Sequence, residues 1–215
     1  MRATALLVSF AVTSLLPTAY AAANEPSANA FQTLDQQTRQ LSRVHSVVVS
    51  YDGEITHEFH QGGPGAASPA NIKSLSKTVL AAITGAAIET DIIESAEQPM
   101  VALFGEHLPR GIDPQVGDIT VAHLLAQQAG LERTSGSNYG AWVASANWVN
   151  DAMTRPFVDE PGGQMLYSTG TSHLLSAALT HASGETTHSL AQRLLGDPLN
   201  ITIRPWLRDP QGIYF

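Results

Sequence analysis

The stretch "HSVVVSYDGEITHEFHQGG", residues 45–63, reads as two β-strands joined at Asp52-Gly53. Aspartate and glycine both tolerate positive φ, so this pair between apolar-rich runs marks a tight hairpin. Glycine and proline at 62–65 close the unit as a loop. An isolated hairpin is only marginally stable in water. Everything else with a clear period reads as helix, so the chain is predicted to be α+β, an antiparallel sheet flanked by helices. Two strands make a small sheet for so many helices. The sequence therefore predicts that strands completing the sheet are missing from the chain. The helix faces carrying Val79, Leu80, Ile83, Leu124, Leu125, Leu174 and Leu175 are then expected to lack part of their cover, leaving the chain poorly folded by itself.

The helical segments follow from apolar spacing. "AFQTLDQQTRQLSRV", residues 30–44, places Phe31, Leu34 and Leu41 at near-helical intervals. From Ser74 onward Val79, Leu80, Ile83 and Ala87 share a face. "ITVAHLLAQQAGL" predicts a helix with Thr120 as N-cap and Gly130 at its C-terminal end. "SNYGAWVASANWVNDAM" predicts one helix, polar and aromatic. "TSHLLSAALTHASG" turns Leu174, Leu175, Ala178 and Leu179 inward and ends at Gly184. "HSLAQRLLGDPL" is the last, stopped by Gly196 and Pro198.

A formal net charge of −8 over 215 residues argues against a nucleic-acid binder, which needs a basic face. The first residues read as a secretory signal: Arg2, then the apolar run "ATALLVSFAVTSLL", then Pro17 and the small-residue site Ala19-Tyr20-Ala21. Cleavage after Ala21 is predicted, giving a signal peptide over 1–21 and a single domain over 22–215 in the periplasm or secreted. The apolar run is shorter than a bilayer span needs, so no membrane span is expected after cleavage. With no cysteine there is no disulfide or thiol chemistry. His57, His60, His123, His173, His181 and His188 are scattered without zinc-ligand spacing, so neither metal nor other cofactor is expected.

Both lysines of the chain, Lys73 and Lys77, flank Ser74 in "IKSLSK". A serine hydroxyl is a weak nucleophile until a base takes its proton. Ser74 and Lys77 are spaced i,i+3, which on a helix puts them on one face. At a helix start, unpaired backbone N–H groups are also available to an oxyanion. The bland reading of the same residues is an N-capping serine and a solvated lysine. Downstream, Tyr167 follows a Pro-Gly turn in "EPGGQMLYST". Taken alone it reads more commonly as a packed aromatic with a bonded hydroxyl than as a proton carrier. Trp142 and Trp148 read as core, with a cleft wall as the alternative.

"SLSK", "ITVAHLLAQQAGL", "EPGGQMLYST" and the closing "DPQGIYF" occur in an order that resembles the serine β-lactamase and penicillin-binding superfamily, in its class C-like esterase and peptidase branch. The resemblance runs from about Val44 to the last residue. It implies an α/β sandwich of the β-lactamase/DD-peptidase kind, with C-terminal strands and a final helix that this chain lacks. Ser74 matches the acylated nucleophile, Lys77 the lysine of the first motif, and Tyr167 the tyrosine of the second. Thr169 stands where the family has a substrate-binding asparagine, and a hydroxyl replaces an amide that both donates and accepts. The family's third motif, Lys-Thr-Gly or a relative, has no match. The resemblance implies a serine hydrolase acting on small esters, amides or cell-wall peptides. A non-catalytic peptide- or cell-wall-binding protein on the same scaffold is the alternative.

Overall fold

The structure, a computed structural model, describes residues 26–62, 65 and 70–215. The predicted signal segment lies outside the described residues. The chain divides into two compact units, one ending at Asn71 and the other spanning Ile72–Phe215.

The first unit pairs one helix with one hairpin. Helix α1, Ala28–Arg39, starts at Ser27, whose hydroxyl accepts the Ala30 N–H. It ends earlier than its apolar spacing predicts, and Leu41 is exposed. Strands β1, Ser46–Tyr51, and β2, Glu54–His60, pair antiparallel with Tyr51 opposite Glu54. Asp52 and Gly53 both have positive φ, 50° and 83°, which makes the predicted two-residue turn. The helix is tied to the hairpin through side chains. The His57 ring stacks on Phe31 at 4.5 Å and its Nε2 lies 2.8 Å from the Asp35 carboxylate. The Gln61 amide lies within hydrogen-bond distance of the carbonyls of Thr38, Leu41 and Val44, joining the end of α1 and the turn after it to the end of β2.

The second unit is helical. A 3-10 turn, Lys73–Leu75, leads into α2, Ser76–Glu89. Then come α3 (Met100–Phe104), α4 (Val121–Leu125), α5 (Tyr139–Ala144), α6 (Trp148–Met153), α7 (Thr169–Ser183) and α8 (Thr187–Ala191). Helix α7 is the centre: Gly170 to Leu179 are buried without a break, and it packs on α2, α3, α4, α6 and α8. A helix buried all round must satisfy its polar residues internally. Ser172 accepts a bond from Gln127, and Ser176 donates to the Tyr214 carbonyl. Gly184, at φ 68°, closes the helix as predicted.

Three expectations are corrected here. The segment 119–131 is helical only to Leu125. Its Thr120 cap is present, but Gln127 takes the left-handed conformation, φ 60°, and Gly130 lies against the Asp159 carbonyl rather than at a helix end. Residues 137–153 form two helices, because Asn147 caps α6 by accepting the Asn150 N–H. The last predicted helix stops at Ala191 and passes into a wider π turn, Gln192–Gly196. The helix faces also find more cover than expected. Ile83, Leu124, Leu174 and Leu175 are buried in one core with Ile93, Phe104 and Met153; Val79 and Leu80 pack at its edge, and Leu125 is exposed. Within this core the helices cover one another. Among the described residues no helix is long and apolar enough to cross a membrane.

Candidate active site

Ser74 lies in the 3-10 turn one step ahead of α2, not at the first residue of the α-helix itself. Lys73 before it has φ 50°, a conformation that costs a non-glycine residue energy and is held only by its surroundings. The i,i+3 relation survives across the junction of the 3-10 turn, which holds Ser74, and α2, which holds Lys77. Lys77 Nζ lies 3.4 Å from Ser74 Oγ.

Tyr167 comes from the segment that enters α7, 93 residues along the chain from Ser74. Its hydroxyl donates to Ser74 Oγ at 2.6 Å, and Lys77 Nζ stands 5.1 Å from the centre of its ring. Ser74, Lys77 and Tyr167 are thus brought together, and Tyr167 is 41% exposed, open to solvent. The bond to Ser74 holds the phenol below its ordinary pKa; partial burial opposes this, and the Lys77 ammonium adds to it by hydrogen bond and charge. As the phenolate forms, the Ser74–Tyr167 bond reverses and the serine becomes the donor. Such a group can take the Ser74 proton and return it to a leaving group.

The Tyr167 segment is fixed by polar contacts with residues 127–135. Ser168 caps α7: its Oγ accepts the N–H groups of Thr171 and Thr134. Thr134 Oγ1 accepts the Gly170 N–H at 2.7 Å. Ser135 Oγ accepts the Thr169 N–H at 2.9 Å and bonds the Thr169 hydroxyl at 3.0 Å. Thr169, expected to meet substrate, therefore has its hydroxyl turned to Ser135. Gln127, Thr134 and Ser135 escape the sequence reading. Gln127 falls inside the predicted helix, and Thr134 and Ser135 lie in a stretch of small polar residues that resembles any loop.

Trp142 and Trp148 are core residues: Trp142 Nε1 donates to the Trp148 carbonyl, and both surround His173. The remaining histidines singled out above have separate partners. His60 meets Glu58, the His123 ring accepts the Thr120 N–H, His188 meets the Ile203 carbonyl, and His181 stacks on His107. Among the described residues no group of three or more His, Cys, Asp or Glu is placed to hold a metal ion.

Solved structures share this architecture. A protein assigned as a beta-lactamase from Bacteroides dorei DSM 17855 superposes with a TM-score of 0.65 at 20% identity, over 81% of this chain and 52% of its own. EstCE1, a hydrolase with promiscuous acyltransferase activity, gives 0.62 at 19%, over 86% and 55%. A class C beta lactamase from Rhodobacter sphaeroides gives 0.60 at 16%, over 81% and 50%. The chain spans about half the length of these proteins, and at such identities the likeness is one of fold, the β-lactamase/DD-peptidase fold. No curated protein matches in sequence. The family description Beta-lactamase matches residues 30–211. With most of its length so matched, the chain belongs to the Beta-lactamase family.

Proposed function

We propose that this chain carries the nucleophile and proton-handling groups of an exported serine hydrolase, working through an acyl-enzyme at Ser74 on small esters, amides or cell-wall peptides. The observation that carries the reading is the 2.6 Å bond between Ser74 Oγ and the Tyr167 hydroxyl with Lys77 Nζ at 3.4 Å. Tyr167, as phenolate beside the Lys77 ammonium, takes the Ser74 proton as Oγ attacks the carbonyl carbon. The carbonyl electron pair moves to oxygen, where the Ser74 backbone N–H is the donor that the family resemblance assigns. The pair returns, the bond to the leaving alcohol or amine breaks, and Tyr167 or Lys77 gives that group a proton. Water then attacks the acyl carbon by the same path and restores the Ser74 hydroxyl. Export to the periplasm or medium rests on the Arg2 to Ala21 signal pattern.

A second reading, a non-catalytic cell-wall- or peptide-binding protein, is favoured by Thr169, whose hydroxyl is engaged by Ser135 where the family carries an amide. A fluorophosphonate separates the two, because only an activated serine is modified. The expected result is labelling at Ser74, abolished in Ser74→Ala. Labelling slows by about 10²–10⁴-fold in Lys77→Ala or Tyr167→Phe, the span of general-base contributions. Undiminished labelling of Ser74→Ala, or a folded protein that is never labelled, overturns the hydrolase reading.

A further inference from the structure

Tyr167 donates to Ser74 from a segment without regular secondary structure, so its reach depends on what holds the peptides on either side of it. Gln127 touches both. Its backbone carbonyl accepts the Leu166 N–H at 2.8 Å, and its side-chain Oε1 accepts the Ser168 N–H at 2.8 Å. Its Nε2 donates to Ser172 Oγ at 2.9 Å, one turn into α7. The two flanking bonds are made by one residue from opposite ends of its own frame. Gln127 adopts φ 60°, which turns its carbonyl and side chain together out of the path of α4. That conformation is uncommon for glutamine and costs of order 1–2 kcal/mol. It also ends α4 where helix-forming residues would otherwise continue it.

We infer that Gln127 is a positioning residue for Tyr167, a clamp whose two bonds to residues 166 and 168 set the distance between the phenol and Ser74. The inference rests on the serine-hydrolase reading for its consequence in catalysis, but its geometric content stands apart from it. Gln127 does not touch Ser74 or Lys77; it acts through the backbone that carries the tyrosine. A misplacement of about 1 Å in such a group can cost about a hundredfold in rate.

The test uses the full chain with two substitutions. Gln127→Asn keeps a residue that accepts left-handed φ but is one methylene too short to reach the Ser168 N–H. Gln127→Glu keeps the length and an acceptor for that N–H, and Ser172 can donate to its second oxygen. Fluorophosphonate labelling of Ser74 is expected to slow about tenfold to a hundredfold in Gln127→Asn and to recover to within a few-fold in Gln127→Glu. The alkaline shift matters as much. The Tyr167 titration, followed by NMR of isotope-labelled tyrosine and assigned with Tyr167→Phe, is expected to move to higher pH in Gln127→Asn, because a loosened ring loses its bond to Ser74. A Gln127→Asn protein that is less stable but titrates and labels like wild type overturns the clamp and leaves the hydrolase reading intact. A wild-type protein that never labels, yet whose Tyr167 titration still shifts in Gln127→Asn, overturns the hydrolase reading and leaves the clamp intact.

Discussion

Two hydrogen-bonded pairs stand at the start of α7, and they have little else in common. Tyr167, two residues before the helix, meets Ser74 at 2.6 Å. His173, one turn into it, meets Asp209 at 2.8 Å. In each case the two partners lie far apart in sequence. Tyr167 is 41% exposed, and the hydroxyl it touches has an ammonium beside it. The side chains of His173 and Asp209 are 0% exposed, with the rings of Trp142, Trp148 and Phe215 around the imidazole. A histidine bonded to an aspartate has the composition of a catalytic dyad, but this one is buried, and its Nδ1 has no hydrogen-bond partner among the described residues. Asp209 spends its other oxygen on the N–H groups of Gln211 and Ile213, which fastens the last turn of the chain to the core. The difference teaches that bond length alone does not tell an accessible pair from a buried structural one. Access to solvent is what sets the two pairs apart.

The sharpest way to break this contrast is at Asp209. Asp209→Ala leaves a buried imidazole, the buried Ile213 N–H and the Gln211 N–H without their acceptor, and removing one partner of a buried pair typically costs about 3–5 kcal/mol. Denaturant unfolding is expected to show that loss, while the labelling rate per folded molecule stays near wild type. A selective loss of labelling without loss of stability would mean that the pair belongs to the chemistry. The pH dependence carries the same information. Burial pushes the Asp209 carboxyl up, but the bonds from His173, Ile213 and Gln211 outweigh it and hold its pKa below the ordinary carboxylate value. A depressed folded pKa adds stability above the unfolded value, near 3.9, and that stability is lost as pH falls through the folded one. Wild type is therefore expected to lose stability below about pH 4 more steeply than Asp209→Asn, which cannot titrate there.

A smaller effect is expected where the two regions meet. A Cβ on Gly170 would sit 2.6 Å from the Thr134 methyl and 3.0 Å from Ala152. Overpacking of this kind costs about 1–3 kcal/mol. Thr134 also accepts the Gly170 N–H and meets Ser168, the cap of α7. Gly170→Ala is thus expected to lower the unfolding midpoint and to slow Ser74 labelling together. An effect on stability alone would show that the cap and the tyrosine move independently.

The sequence reveals some of this and conceals the rest for physical reasons. The hairpin is legible because Asp52-Gly53 carries its own turn chemistry. Ser74 and Lys77 are legible because i,i+3 neighbours meet on any helical turn. Tyr167 is reached through the family resemblance, since no local rule joins it to a serine so distant in sequence. The end of α4 is hidden because Ala126, Gln127 and Gln128 are adequate helix formers, and the stop is a tertiary bond to Ser168. The complete burial of α7 is hidden because Ser172, His173 and Ser176 look like a polar face until Gln127, Asp209 and Tyr214 supply their partners. For the same reason His173 reads as one scattered histidine among several.

The smallest effect is the most specific to the exposed pair. The Tyr167 pKa is lowered first by its bond to Ser74, while the bond and charge of Lys77 contribute less. A charge acting on an exposed group is screened by water, whereas a 2.6 Å hydroxyl bond is not. Ser74→Ala is therefore expected to raise the Tyr167 titration more than Lys77→Ala does, as read from the tyrosine ring signals. The opposite order would make the ammonium the dominant influence, and the proton would then be better assigned to a direct Ser74 to Lys77 transfer across their 3.4 Å contact. Neither substitution touches the His173–Asp209 pair, so the acid-side stability profile should be the same in both variants and in wild type. A change there would mean that the exposed and buried pairs are coupled through α7, and that the helix transmits what its two ends otherwise keep apart.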